Sequence, residues 1–121
     1  MENSKECLIE ALKKYDDVSR VINDINTIQK MIDEEEYNKE KLIEMESRYS
    51  IDTRFLLNFS NKDNIGFEID FQKPIHQLLI NLQNRLYIIA VYRVIKMQGR
   101  EIPKDIVTSD FEKLIEFLEC K

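Results

Sequence analysis

Glycine and proline are almost missing from this chain: two of each in 121 residues, with neither before Gly66 and Pro74. At average usage a stretch of that length would hold roughly eight. Without helix breakers, and with apolar residues recurring at helical spacing, the N-terminal half reads as one long helix or a helical hairpin. Two glycines so far apart also exclude a glycine-rich phosphate-binding loop. Long hydrophobic runs are missing too. No apolar run approaches the roughly 18 residues that a membrane span needs, so no membrane role is expected. The first residues mix acids and bases and carry no secretory pattern. The two cysteines, Cys7 and Cys120, have neither disulfide-framework nor zinc-site spacing. They read as reduced thiols, which points to the cytoplasm. The one histidine, His76, has no nucleophile or metal-ligand motif around it and reads as an ordinary helix residue.

What is present is charge and helical periodicity. The net charge is −5. Residues 1–60 carry nine bases and fourteen acids, whereas residues 61–121 carry nine of each. An acidic helical half argues against nucleic acid as its ligand and suits a partner with a basic surface. In that half Ala11, Tyr15, Val18, Ile22, Ile25, Gln29 and Ile32 follow one another at alternating steps of four and three. This is a heptad seam, and it predicts packing against a second helix, with self-association as its expected use. Gln29 in the seam either fixes register or sits at a wet edge. The polar stretch around Asp33–Lys41 then places a bend near Glu35–Lys39. An unbroken helix from Ser4 to Tyr49 would be a rod of about 69 Å.

Past Tyr49 the chain reads as a short apolar helix, then a loop. Ile65, Phe67, Ile69 and Phe71 alternate with polar residues and Gly66, predicting a short extended or β segment at 65–71. Pro74 opens a central helix that runs from Ile75 to Met97 and is stopped by Gly99. From Leu86 to Ile95 it is apolar nearly all round, so other helices must surround it. The pattern Ser109-x-x-Glu112 reads as a capping box for a last helix. The fold class expected is all-α or nearly so, with four to five helices. A long N-terminal helix or hairpin packs on a buried central helix. The chain reads as one α-helical domain: an acidic half at 1–59, a loop and extended segment at 60–73, and two helices in 74–121.

Two clusters are candidates for chemistry. Asp33, Glu36, Glu40 and Glu44 fall on one face if the helix is unbroken, as a Mg²⁺-dependent nucleotide hydrolase would require. The paired-acid motif of all-helical nucleotide pyrophosphatases is not completed, because Lys39 stands where a third acid belongs and no facing E-x-x-D occurs. A solvated charged face is the simpler reading. On the central helix Arg93, Lys96 and Arg100, with Tyr92 available to stack, could hold a phosphate or a partner's carboxylate. Alternatively Arg93, set among apolar residues, pairs with an acid of the N-terminal half. No metal, cofactor or catalytic residue is assigned. The sequence points to a non-enzymatic cytoplasmic helical binding protein, regulatory or inhibitory, acting through protein contact and homo-oligomerisation. The alternative is an oligomer that captures a small phosphorylated ligand or nucleotide at the basic cluster.

Overall fold

The computed structural model describes residues 4–59, 74–108 and 110–119. Those residues form six α-helices and no strand: α1 (Ser4–Leu12), α2 (Ser19–Glu34), α3 (Lys39–Arg48), α4 (Ser50–Leu57), α5 (Ile75–Met97) and α6 (Phe111–Glu119). The protein is all-helical. The extended segment expected at 65–71 lies outside the described residues.

The central helix α5 has the expected bounds. Gly99 ends it at φ +73, a conformation that favours glycine. There its N–H donates to Lys96 O (3.0 Å) and the Arg100 N–H to Ile95 O (3.2 Å), the double bond of a Schellman cap. Every residue from Arg85 to Tyr92 is buried. A helix covered on all sides needs neighbours on all sides, and the N-terminal helices and α6 supply them. The principal neighbour is α2, which buries Val21, Ile22, Ile25, Ile28 and Met31. Fully burying such a side chain stabilises the fold by about 1.5–3 kcal/mol.

The heptad seam meets a different fate from the one its spacing suggests. Its run is interrupted: α1 ends at Leu12, Tyr15 is extended (φ −116, ψ 111), and a 3-10 turn at Asp16–Val18 leads into α2. No glycine or proline marks this break. It lets α1 turn away to pack on α6 while α2 packs on α5. Of the seam residues, Val18, Ile22 and Ile25 are buried in the core of this same chain. Ala11, Tyr15 and Ile32 are half-buried against that core. Gln29 is hydrogen-bonded on both sides. Its Oε1 accepts from Gln83 Nε2 of α5 (2.9 Å), and its Nε2 donates to Asp33 Oδ1 (3.0 Å). Gln83, fully buried, also donates to Ile25 O (3.3 Å) and accepts from Lys5 Nζ (3.2 Å) of α1. One amide thus ties three helices together. Burial holds the Lys5 ammonium below its ordinary pKa.

The bend between α2 and α3 is made without glycine. Glu35 takes the left-handed conformation (φ 55). Its N–H donates to Ile32 O, and the Glu36 N–H to Met31 O, both at 3.2 Å. The hydrogen-bond pattern is the one found at Gly99, built on a residue with a Cβ. Asn38 then caps α3, its Oδ1 accepting from the Lys41 N–H (3.2 Å). At α6 the cap differs from the S-x-x-E reading. Ser109 lies outside the described residues, and Asp110 Oδ1 accepts from the N–H groups of Glu112 and Lys113 at 3.0 and 3.3 Å. A left-handed conformation costs an L-residue about 1–2 kcal/mol, so Glu35→Gly should raise stability by roughly 0.5–1 kcal/mol once the extra flexibility of the unfolded chain is deducted. A thermal melt reads this as a higher midpoint. A lower midpoint would mean that the chain does not reverse at Glu35.

Candidate functional site

Helices α3 and α4 meet at Tyr49, whose non-helical backbone (φ −106, ψ 16) breaks the helix there. The Tyr49 N–H donates to Met45 O (3.0 Å) and the Thr53 N–H to Tyr49 O (2.9 Å). The two successive helices together form an arm with a bend at Tyr49. Its inner face buries Leu42, Met45, Tyr49, Asp52, Thr53 and Leu56. Three arginine–carboxylate pairs fasten it. Arg48 Nη1 donates to Asp24 Oδ2 of α2 at 2.7 Å. Arg85 of α5, buried, pairs with Glu46. Arg93 of α5 clasps Asp52 with two parallel bonds, Nε to Oδ1 at 3.1 Å and Nη2 to Oδ2 at 2.7 Å. Such bidentate bonds fix both distance and angle.

Tyr49 stands among these pairs. Its hydroxyl donates to Asp24 Oδ2. The guanidinium carbons of Arg93 and Arg48 lie 5.1 and 6.0 Å from its ring centroid, within cation–π range. Burial, then the hydrogen bond to Asp24, hold its phenol well above the ordinary pKa. Arg48's own bond to Asp24 raises its pKa, and the bond to Asp52 raises that of Arg93, each against the opposing effect of burial.

The outer face of the arm is the most unusual surface among the described residues. Five large apolar side chains there are exposed, and three belong to the arm: Ile51 at 80%, Ile43 at 50% and Leu57 at 48%. Phe55 and Phe59 flank this face half-buried. Phe55 stacks on Tyr92 of α5, with centroids 4.7 Å apart, and meets Phe59 at 5.4 Å. The apolar surface is therefore continuous with the α4–α5 seam.

The residues expected to form an anion site are divided among separate tasks. Arg93 is committed to Asp52. Tyr92 is buried under Phe55, and the Lys96 ammonium lies over its ring at 5.6 Å from the centroid. Arg100 turns to α6, where Nη2 donates to Phe117 O (2.7 Å). A cavity of about 500 Å³ beside Arg100 is lined by Lys14, Tyr15, Gln98 and Leu118 among others. The C-terminal ends of α1, α5 and α6 gather there, and carbonyl-rich helix ends favour cations over anions. The acid row is likewise divided: Asp33 lies in the last turn of α2, Glu36 lies in the turn, and Glu40 and Glu44 are on α3. No group of three or more metal-ligating side chains occurs among the described residues. An open cleft of about 670 Å³ at this turn is lined by acids and lysines alike, including Lys30, Glu34, Glu36 and Lys41. His76 is exposed at the start of α5 and borders a cavity of about 240 Å³ with Met31, Ile32, Ile75 and Leu79.

The arm's outer face was not singled out from the sequence. Ile43 and Ile51 fall out of step with the buried Leu42, Met45, Tyr49, Asp52 and Leu56, and that mismatch is the signal for it. No protein family matches this chain, and no curated protein or solved structure matches it either. Among the described residues no helix is long and apolar enough to cross a membrane.

The buried phenols give the fold an alkaline limit. Burial pushes Tyr87 up to about 12, and Tyr49 is raised as well. An unfolded phenol ionises near 10, so above that pH the folded state holds protons that the unfolded state has lost. The stability these groups contribute is intact below about pH 10 and is lost as pH rises towards 12. In a base titration the last part of the phenolate absorbance should appear together with loss of helical circular dichroism. Complete phenolate absorbance over an intact helical spectrum would contradict the placement of Tyr49 and Tyr87.

Proposed function

We propose that this chain is a non-enzymatic helical binding protein, regulatory or inhibitory, that acts by presenting the outer face of the α3–α4 arm to another protein. The carrying observation is the exposure of Ile51, Ile43 and Leu57 on an arm whose inner face is fastened by three charged pairs. Leaving several branched aliphatic side chains in water is unfavourable, and such exposed apolar side chains are what a protein contact would cover. Rigidity lowers the entropy lost on binding. Aromatic neighbours Phe55, Phe59 and Tyr92 extend the same surface, and aromatic side chains are enriched where proteins meet.

The charge around this face shapes the choice of partner. Glu40 and Glu44 lie towards one end of the arm and exposed Arg54 towards the other, with the acidic turn Asp33–Glu36 beyond the first end. A partner with a basic surface would fit the acidic end. The cytoplasm is the setting this reading assigns, on the spacing of the two cysteines.

Capture by the immobilised protein tests the reading. Ile51→Asp should abolish retention of the bound protein, a second copy of this chain included, whereas Met97→Asp, at another exposed apolar position, should leave it unchanged. Equal retention by wild type and Ile51→Asp would overturn the assignment of this face.

A further inference from the structure

Four of the six described helices expose at least one carboxylate, whereas α4 and α5 expose none. Helix α5 contains no acidic residue, and the one acid of α4, Asp52, is buried and held by Arg93. These two helices meet through the Arg93–Asp52 clasp and the Phe55–Tyr92 stack. The outer side of their seam is apolar, with a base at either edge. Ile51 and Phe55 are one turn apart on α4 and share a flank. Phe55 meets both Phe59 and the Tyr92 ring. The Lys96 ammonium lies over that ring, 5.6 Å from its centroid, and marks the α5 edge. Arg54, three residues beyond Ile51 on the same helix, marks the α4 edge. Both bases are exposed, and neither pairs with a carboxylate among the described residues.

We infer that the α4–α5 seam around Ile51, Phe55 and Tyr92 docks an acidic amphipathic helix of another protein. The inference rests on the arm's being a contact face, as proposed above, and names the chemistry of what meets its α4 end. A partner that covers Ile51 and Phe55 also reaches Lys96 and Arg54 at the edges. An apolar partner would desolvate both charges without a counter-charge, and a basic partner would repel them. A helix with carboxylates on either side of an apolar stripe satisfies both edges at once. The rest of the chain favours the same choice. At a net charge of −5 the molecule repels acidic segments elsewhere, and every other described helix presents an exposed acid to them. An anionic bilayer would extend past the seam and face those acids as well. Attraction to such a bilayer takes roughly four to eight clustered bases, and the seam offers two.

Titrating the full chain into two synthetic helices, read by fluorescence anisotropy, tests the docking. Each peptide has about 18 residues, long enough to hold a helix, with leucines along one face. Glutamates flank that face in one peptide and lysines in its twin. Binding is counted where Ile51→Asp abolishes it. The glutamate peptide should bind wild type about tenfold more tightly than the lysine peptide. Arg54→Glu and Lys96→Glu should each weaken the glutamate peptide about three- to tenfold, with the larger effect at low salt. The double variant Arg54→Glu/Lys96→Glu should prefer the lysine peptide, a gain that loss of folding does not produce in an Ile51-sensitive form. Circular dichroism verifies that each variant folds. No binding of the glutamate peptide, equal binding of the two, or indifference to both reversals would overturn the docking. Retention of wild type on phosphatidylserine vesicles that either reversal abolishes would overturn it too, by giving the seam to a bilayer. If neither peptide binds yet another protein is captured in an Ile51-sensitive way, the contact face stands and the acidic helix falls.

Discussion

A helix buried on every side can carry a charge or an amide only where a partner meets it, and α5 carries several. Gln83, Arg85 and Arg93 sit on a helix whose other buried residues are leucine, isoleucine, valine, alanine and tyrosine. Unpaired, the buried Gln83 and Arg85 would cost more than an apolar replacement, and the half-buried Arg93 would be partly desolvated without a counter-charge. The rest of the fold is arranged to meet them. Gln83 receives Lys5 from α1 and holds Gln29 and the Ile25 carbonyl of α2. Arg85 takes Glu46 of α3, and Arg93 takes Asp52 of α4. Hydrophobic burial supplies the driving force for packing these helices on α5. The polar partners choose which of many similar apolar registers is occupied.

This constraint accounts for the surface as well as the core. Because Glu46, Arg48, Tyr49 and Asp52 all face inward, the opposite side of the α3–α4 arm is fixed in direction. Ile43 and Ile51 are then exposed by necessity: rotating the arm to bury them would strand Arg85 and Arg93. Tyr49 binds the system together, joining α2 through Asp24 and lying against the guanidinium of Arg93. That exposed apolar face, which the core cannot absorb, is what the proposed protein contact rests on.

Much of this could be read before any coordinates, and the reasons for the exceptions are physical. Helix α5 was legible from Pro74 to Gly99 because its breakers stand at both ends and its middle is apolar all round. The pairing of Arg93 with an acid of the N-terminal half follows from the cost of burying a lone charge. The reversal near Glu35 was signalled by the polar stretch around it, although the left-handed residue there is a glutamate. The break between Lys13 and Ser19 was hidden, because the heptad spacing runs straight through it and only the need of α1 to reach α6 interrupts the helix. The basic cluster misled through helical projection. Arg93 and Arg100 project in similar directions along α5, but each side chain is drawn to a different neighbour, Asp52 and the Phe117 carbonyl.

The account stands on the arm's being locked to α5 through specific polar pairs, and a double-mutant cycle on Arg93 and Asp52 measures that directly. Urea unfolding of wild type, Arg93→Ala, Asp52→Ala and the double variant yields the coupling energy between the two side chains. A bidentate, partly buried pair predicts a coupling of about 1–2 kcal/mol, with the double variant less destabilised than the sum of the singles. A coupling below about 0.3 kcal/mol, within the range expected of independent sites, would show that the arm is held by apolar packing alone and would contradict the account.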